Sequence, residues 1–228
     1  MFRRFGPVLV ASACLSASLF AACSADHKGN SDGKNSVTAR SYPVQFKDDQ
    51  YDLEKMTLAA TDVPDGFSQK QSSTFDNEAW AAVVGQDDPS GKKKQLDSQG
   101  RLMSAAKIFS WDNPLEHLGK TYQITSQSTL YVSVDAAMKS MKLLCDLPID
   151  EKKASQEIKA ATLADETTVL IVSETLPNFG VSKDSIVCVR TGRIVNAIVE
   201  SGLDGTQDIL RTIGLAKLAL AHVDAELK

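Results

Sequence analysis

The chain has 228 residues, of which 43% are hydrophobic and 24% charged, and its formal net charge is −4. A chain of this length and hydrophobic content can bury a full core, which excludes disorder throughout and favours one domain with appended segments. A net acidic chain lacks the basic surface that nucleic acids require, so no nucleic acid is expected among its partners.

Residues 1–22 have the pattern of a signal peptide. Arg3 and Arg4 precede an uncharged run, Phe5 to Ala22, that is rich in alanine, leucine and valine. A transmembrane helix needs about 20 predominantly apolar residues, whereas this run is short, is interrupted by serines and ends at small residues. A retained anchor helix is the alternative interpretation.

The five residues Leu19 to Cys23 read LFAAC and resemble the lipobox of bacterial lipoproteins. In that motif small residues precede a cysteine that is lipidated and becomes the mature N-terminus; Phe20 stands where an aliphatic residue is more usual. The resemblance implies lipid attachment at Cys23, in an exported protein held at the cell membrane or outer membrane and facing away from the cytoplasm. Cleavage after Ala25, which would discard Cys23, is the alternative.

The segment that follows has the composition of a flexible tether. Residues 24–41 read SADHKGNSDGKNSVTARS, with almost no apolar side chains. The predicted organisation is therefore a signal peptide at 1–22, a lipidated cysteine and tether at 23–41, and a single α+β domain at 42–228.

The first part of the domain contains a turn, a helix and a loop. The VPDG sequence at 63–66 predicts a type I turn. Asp76 is a plausible cap for a short helix. We expect its apolar side to consist of Ala79, Trp80, Val83 and Val84. The segment 85–100 has Leu96 as its only large apolar residue, and its three consecutive lysines at 92–94 are flanked by aspartates, which predicts a solvated surface loop.

Strands are predicted at 102–111 and 122–134, followed by a helix from Asp135 that ends near Leu147, because Pro148 follows. Helical spacing places four residues on one face: Val134, Met138, Met141 and Cys145.

Ser185 to Glu200 predicts a β-hairpin that turns at Thr191 and Gly192. This turn pairs Arg190 with Arg193 and Cys188 with Val195. Two like charges opposite each other destabilise a hairpin, so we expect the arginines to have an acidic neighbour or to be exposed. One face of the hairpin then carries Ile186, Cys188, Val195, Ala197 and Val199.

The chain from Cys23 onward holds three cysteines, an odd number in an exported protein. If Cys23 carries lipid, Cys145 and Cys188 remain as one pair. Packing of the predicted helix on the predicted hairpin brings their sulfurs together, so a disulfide is expected in an oxidising envelope. Two buried, reduced cysteines are the alternative.

The last element is a long amphipathic helix, with Asp204 or Thr206 as its possible cap. Its apolar stripe consists of Ile209, Ile213, Ala216, Leu220, Val223 and Leu227. The element order predicts an α+β fold: an antiparallel sheet with packed helices, in which a C-terminal β-hairpin is followed by this helix.

Three short stretches carry a wider resemblance: DVPDGF at 62–67, ADET at 164–167 and VRTGRIVNAIV at 189–199. With the closing helix, they resemble a broad set of exported bacterial lipoproteins of undefined activity, and the order of elements is similar to the Mog1/PsbP-like fold. The resemblance covers most of residues 62–228 and implies no catalytic residues.

Motifs of enzyme and metal chemistry are missing from the sequence. It contains no HExxH, no paired Cys/His spacing, no phosphate-binding loop and no GxSxG elbow, so no catalytic residue, metal or cofactor is predicted. His222 flanks the apolar stripe of the last helix, which favours a surface role over a catalytic one.

These observations favour a non-catalytic envelope lipoprotein that is held at the membrane by its lipid and binds a protein, glycan or lipid. A carrier of a hydrophobic ligand is an alternative, with a cavity lined by Met138, Met141 and Phe179. Another is an envelope hydrolase that uses scattered residues such as Ser110, Asp112 and His117. A sensor or assembly subunit would show a large exposed apolar patch.

Overall fold

The computed structural model describes residues 46–85, 87–113, 117, 120–143, 145, 147, 154–176, 180–203, 205–206 and 208–228. The predicted signal peptide, Cys23, the tether and Phe179 lie outside these residues. Within the described part of the chain, no helix is both long and apolar enough to cross a membrane.

An antiparallel sheet of seven described strands, in the order β1-β2-β3-β7-β6-β5-β4, forms the body of the domain. The strands are β1 Phe67–Asp76, β2 Arg101–Trp111, β3 Thr121–Tyr131, β4 Ala154–Glu157, β5 Glu166–Leu176, β6 Gly180–Thr191 and β7 Ile194–Leu203. The helices are α1 Asn77–Val84, α2 Pro89–Ser98, α3 Val134–Met141 and α4 Ile209–Glu226, with a short 3-10 helix at Asp48–Gln50. This arrangement confirms the predicted α+β fold with a closing hairpin and helix.

One face of the sheet is covered by α4. The residues of the central strands that point to this face form a core with the helix, as the two-residue period of a strand requires. The packed residues include Phe109, Ile124, Val187, Ile198, Leu215, Ala219 and Leu220. The segment before β1 is fixed on the sheet by two buried hydrogen bonds: the Leu58 amide donates to Ser126 Oγ at 3.0 Å and Asn196 Nδ2 donates to the Met56 carbonyl at 2.9 Å.

The opposite face carries two separate clusters. Over one end of β3, β6 and β7, α3 packs through Ala137 and Met141 on Ile186 and Ala197. Near β1, α1 and α2 enclose a second cluster of Trp80, Ala81 and Leu96. On this face, the parts of β2, β3 and β7 that lie between the two clusters are therefore not covered by a helix.

The structure joins Cys145 to Cys188 in a disulfide, with their Cα atoms 6.2 Å apart, as the sequence predicted. The helix before it differs from the prediction, because α3 ends at Met141 and not near Leu147. Val134 and Met138 are exposed, and the buried face of α3 consists of Ala136, Ala137, Ser140 and Met141.

The predicted surface loop at 85–100 is wrong, because most of it forms α2. The Asp88 carboxylate accepts a hydrogen bond from the Gly91 amide at 2.9 Å, and Pro89 occupies the first helical turn, so the segment has two strong helix-start signals. Leu96 is fully buried and attaches the helix to the domain. Asp76 caps α1 as predicted, but Ala79 and Val83 are exposed.

The hairpin forms with a turn at Gly192 and Arg193, one residue later than predicted. Thr191 therefore pairs with Ile194, and Cys188 with Ala197 in place of Val195. The shift moves each residue's partner by two positions, so the same side chains stay on one face of the hairpin and the predicted apolar face is kept. It also removes the expected pairing of the two arginines. Gly192 has a φ of +57°, which suits glycine in such a turn.

The two hairpin arginines each have acidic partners. Arg190 contacts Asp165 at 3.3 Å and Glu166 at 3.1 Å, and Arg193 contacts Asp48 at 2.6 Å. The expected acidic neighbour is therefore present.

The cap of α4 and the turn at 63–66 also differ from expectation. Asp208 caps α4 by accepting bonds from the amides of Leu210 and Arg211, so neither Asp204 nor Thr206 is the cap. The turn predicted at 63–66 lies one residue later, at 64–67, where the Phe67 amide donates to the Pro64 carbonyl. Gly66, the third residue of this turn, has a φ of +90°, which is the type II geometry and not type I.

Candidate functional site

An open groove of about 330 Å³ crosses the sheet on the face opposite α4. Its floor consists of the central strands that the two clusters leave uncovered, chiefly β2, β3 and β7. One wall comes from α1 and the other from Leu147, which follows the disulfide cysteine Cys145. The volume is within the usual range for a site that binds a small molecule.

The register of the strands sets which side chains form the floor. Ile108 on β2 pairs with Thr125 on β3, which in turn pairs with Val199 on β7. Two residues before Thr125, and on the same face of the sheet, Gln123 pairs with Ser201 on β7. Because successive residues of a strand point to opposite faces, Ile124 between Gln123 and Thr125 enters the core on the α4 side.

The floor offers hydrogen-bonding groups to a ligand. Gln123 Nε2 donates to Thr125 Oγ1 at 3.1 Å, and Gln127 Nε2 donates to Thr129 Oγ1 at 3.0 Å. These bonds fix the two amides. Gln123 and Thr125 are half-buried and face the groove, whereas Gln127 is 2% and Ser201 8% exposed. The polar groups that a ligand can reach are therefore chiefly those of Gln123 and Thr125.

The walls of the groove are apolar. On the α1 side Trp80 packs against Phe75, with ring centroids 5.3 Å apart, and the guanidinium of buried Arg101 lies 5.5 Å from the Trp80 ring. These contacts hold the indole in place. Val83, 52% exposed, lies on the same wall. Leu147 on the opposite wall packs against the cluster that contains the disulfide.

The residues predicted for a carrier cavity do not line this groove. Met138 is exposed on α3 and Met141 is in the core cluster, while Phe179 lies outside the described residues. The structure does bring Cys145 and Cys188 together. The sequence contained one signal for the groove: Gln123, Thr125 and Gln127 alternate with core residues on a central strand, so the second face of that strand is polar.

The residues of the hydrolase alternative have other partners. Asp112 accepts hydrogen bonds from Lys70 Nζ and Ser68 Oγ, which lower the pKa of its carboxyl group. His117 stacks on Trp111 with ring centroids 3.8 Å apart. Among the described residues, no hydrogen bond joins Ser110, Asp112 and His117 to one another. No group of three metal-ligating side chains is found in the described part either.

His222 contacts Asp62, with Nε2 2.7 Å from Oδ2. The same carboxylate oxygen accepts the Ala59 amide at 2.7 Å. The histidine therefore ties α4 to the segment before β1, a structural role that agrees with its predicted position beside the apolar stripe.

The comparisons with known proteins bear on the fold. The structure is similar to the crystal structure of the extracellular domain of PknH from Mycobacterium tuberculosis, with a TM-score of 0.50 and 11% sequence identity over 75% of this chain and 95% of that chain. At this identity the similarity shows the fold alone. No protein-family model matches the chain, and no curated protein matches it in sequence. The predicted lipobox and the similarity to the Mog1/PsbP-like fold stay predictions.

Proposed function

We propose that this protein is an exported, lipid-anchored envelope protein whose domain binds a small amphipathic ligand in the groove without transforming it. The observation that carries the proposal is the groove itself, with apolar walls on α1 and Leu147 and a floor on which Gln123 and Thr125 lie beside Ile108 and Val199. Apolar walls favour the burial of an alkyl or aromatic group, and fixed amide and hydroxyl groups bind a polar headgroup.

Three further features support export and anchoring. Residues 1–22 have the signal-peptide pattern, and Cys23 ends a lipobox-like sequence. The Cys145–Cys188 disulfide is typical of proteins outside the cytoplasm. The similar solved structure is itself an extracellular domain.

The composition of the groove favours binding over catalysis. Among its described lining residues Asp184 is the one ionisable side chain. Nucleophilic catalysis typically pairs a nucleophile with an adjacent base, and a general base must reach the proton that it abstracts. A ligand in this groove would meet mostly neutral groups.

A fluorescence titration with a dansyl-labelled fatty acid tests the proposal. Val83→Lys places a charge on the apolar wall at an exposed position, so we expect binding to weaken about tenfold, equivalent to roughly 1.4 kcal/mol. Leu218→Lys is the matched control, because Leu218 is an exposed apolar residue on α4, away from the groove. Its affinity should equal that of the wild type.

Equal affinities of the two lysine variants would contradict binding in the groove, as would a wild-type protein that does not bind the probe. Thermal unfolding of both variants checks that the fold is retained.

A further inference from the structure

A second surface lies at the end of the sheet where the described chain begins. Phe46, the first described residue, lines a cavity of about 340 Å³ together with Val132 and Val134. Phe46 contacts Tyr51 edge-on at 5.7 Å, and the Arg193 guanidinium lies 5.3 Å from the Tyr51 ring. These contacts hold Phe46, where the described chain begins, beside the β3–α3 connection and the β6–β7 turn.

Three exposed apolar residues form what we call the apolar end surface: Val132, Val134 and Met138, which are 51%, 42% and 42% exposed. Val132 and Val134 line the same cavity. Val134 and Met138 are four residues apart on α3, so their side chains are neighbours on the helix. Grouped apolar side chains on a surface mark a contact with another molecule or a membrane.

The charges around this surface are of both signs. Lys139 and Lys142 are exposed on and just after α3 beside one exposed acid of the same helix, Asp135, whereas Asp76, Glu78 and Asp97 line a separate cavity together with Val132. The basic side of the surface is therefore the α3 side. The nearby carboxylate of Asp48 is engaged by Arg193 at 2.6 Å. On the α3 side, Val134 and Met138 lie beside these lysines, which suits the boundary between headgroups and acyl chains of an anionic bilayer.

We propose that the apolar end surface rests on the membrane to which the protein is anchored, an inference that depends on the lipid anchor of the proposed function. The chain connects the anchor to this surface, because 22 residues separate Cys23 from Phe46, which lines the cavity beside it. A short tether keeps the joined end at a high effective concentration near the bilayer, which lets a weak contact form. The membrane contact would give the domain a fixed orientation.

Quenching by brominated lipids tests the contact. The full chain carrying Met138→Trp or Leu218→Trp is reconstituted in vesicles of phosphatidylcholine and phosphatidylglycerol, with and without bromine on the acyl chains. Met138 and Leu218 are equally exposed, at 42%, and lie on different helices. We expect the added fluorescence of Met138→Trp to be largely lost with brominated lipid and that of Leu218→Trp to be kept. Equal quenching of the two variants, or none, would overturn the proposal.

The mass of the mature chain shows separately whether Cys23 carries lipid. If it does not, chains that start at Ser24 with an N-terminal hexahistidine tag are tethered to nickel-chelating lipids and measured in the same way. Selective quenching of Met138→Trp there supports the surface although the anchor has failed, and its absence overturns the surface itself. A blue shift of Met138→Trp that grows with protein concentration without lipid indicates pairing with a second copy, which also contradicts the proposal.

Discussion

Arg211 on α4 holds the fully buried carboxylate of Glu200 on β7 through two of its nitrogens. Nε donates to Glu200 Oε2 at 3.1 Å and Nη2 donates to Oε1. The hydroxyls of Thr121 and Thr212 also donate to this carboxylate, at 2.7 and 3.2 Å. Hydrogen bonding to Glu200 raises the pKa of the Arg211 guanidinium. The pair fixes the first turn of α4 on the sheet that carries the groove.

The substitution Arg211→Met should destabilise the protein by about 3 kcal/mol, because it leaves a buried charge without its cation. The double variant Glu200→Gln/Arg211→Met removes the charge as well and should recover much of that loss. Urea denaturation at neutral pH measures both free energies of unfolding. If Arg211→Met is as stable as the wild type, the buried pair does not have the role described.

The variant Cys145→Ala/Cys188→Ala should lose about 4 kcal/mol of stability, since the disulfide closes a loop with a sequence separation of 43 residues. It should also bind the fatty-acid probe more weakly, because Leu147 on the groove wall lies two residues from Cys145. Urea denaturation and the titration measure the two effects. The wild type with reductant is the control, and an unchanged unfolding curve after reduction would show that the bond does not stabilise the protein.

Leu96→Ala tests whether residues 89–98 are a packed helix. Leu96 is fully buried, so truncation should cost about 3 kcal/mol, whereas Lys94→Ala at an exposed position of α2 should cost less than about 0.5 kcal/mol. Urea denaturation compares the two variants. Similar small losses in both would favour the surface loop that the composition suggests.

The elements with strong local periodicity were predictable. The stripe of α4 and the alternation in the hairpin follow from side-chain burial, which the sequence pattern records directly. α2 was missed because its lysines and single leucine give almost no amphipathic signal, although Asp88 and Pro89 mark its start. The hairpin turn was placed one residue early because both registers bury the same face.

The groove could not be predicted in the same way. It depends on the sheet order, in which β3 lies beside β7 although more than 60 residues separate their ends in sequence. Thr125 and Val199 meet only through that long-range pairing. The polar alternation of Gln123, Thr125 and Gln127 shows that one face of β3 is polar, but it does not show which elements leave that face open.

Asp112 should make stability depend on pH in acid. Hydrogen bonds from Lys70 and Ser68 lower its pKa from the usual 3.8, so its contribution is present above that value and is lost as the pH falls through the lowered pKa. Asp112→Asn should therefore lower the urea midpoint slightly at about pH 6, and this difference should shrink as the pH falls below the usual pKa of 3.8. In a Lys70→Met background the substitution should have less effect at the higher pH, and an undiminished effect would contradict the assigned partner.

Native mass spectrometry of the protein, exported into an oxidising compartment and purified without detergent, tests the binding groove most directly. The wild type should carry a co-purified amphipathic adduct, Leu218→Lys should retain it, and Val83→Lys should lose most of it. A bare wild-type mass, or an adduct that Val83→Lys retains in full, would contradict a ligand in the groove.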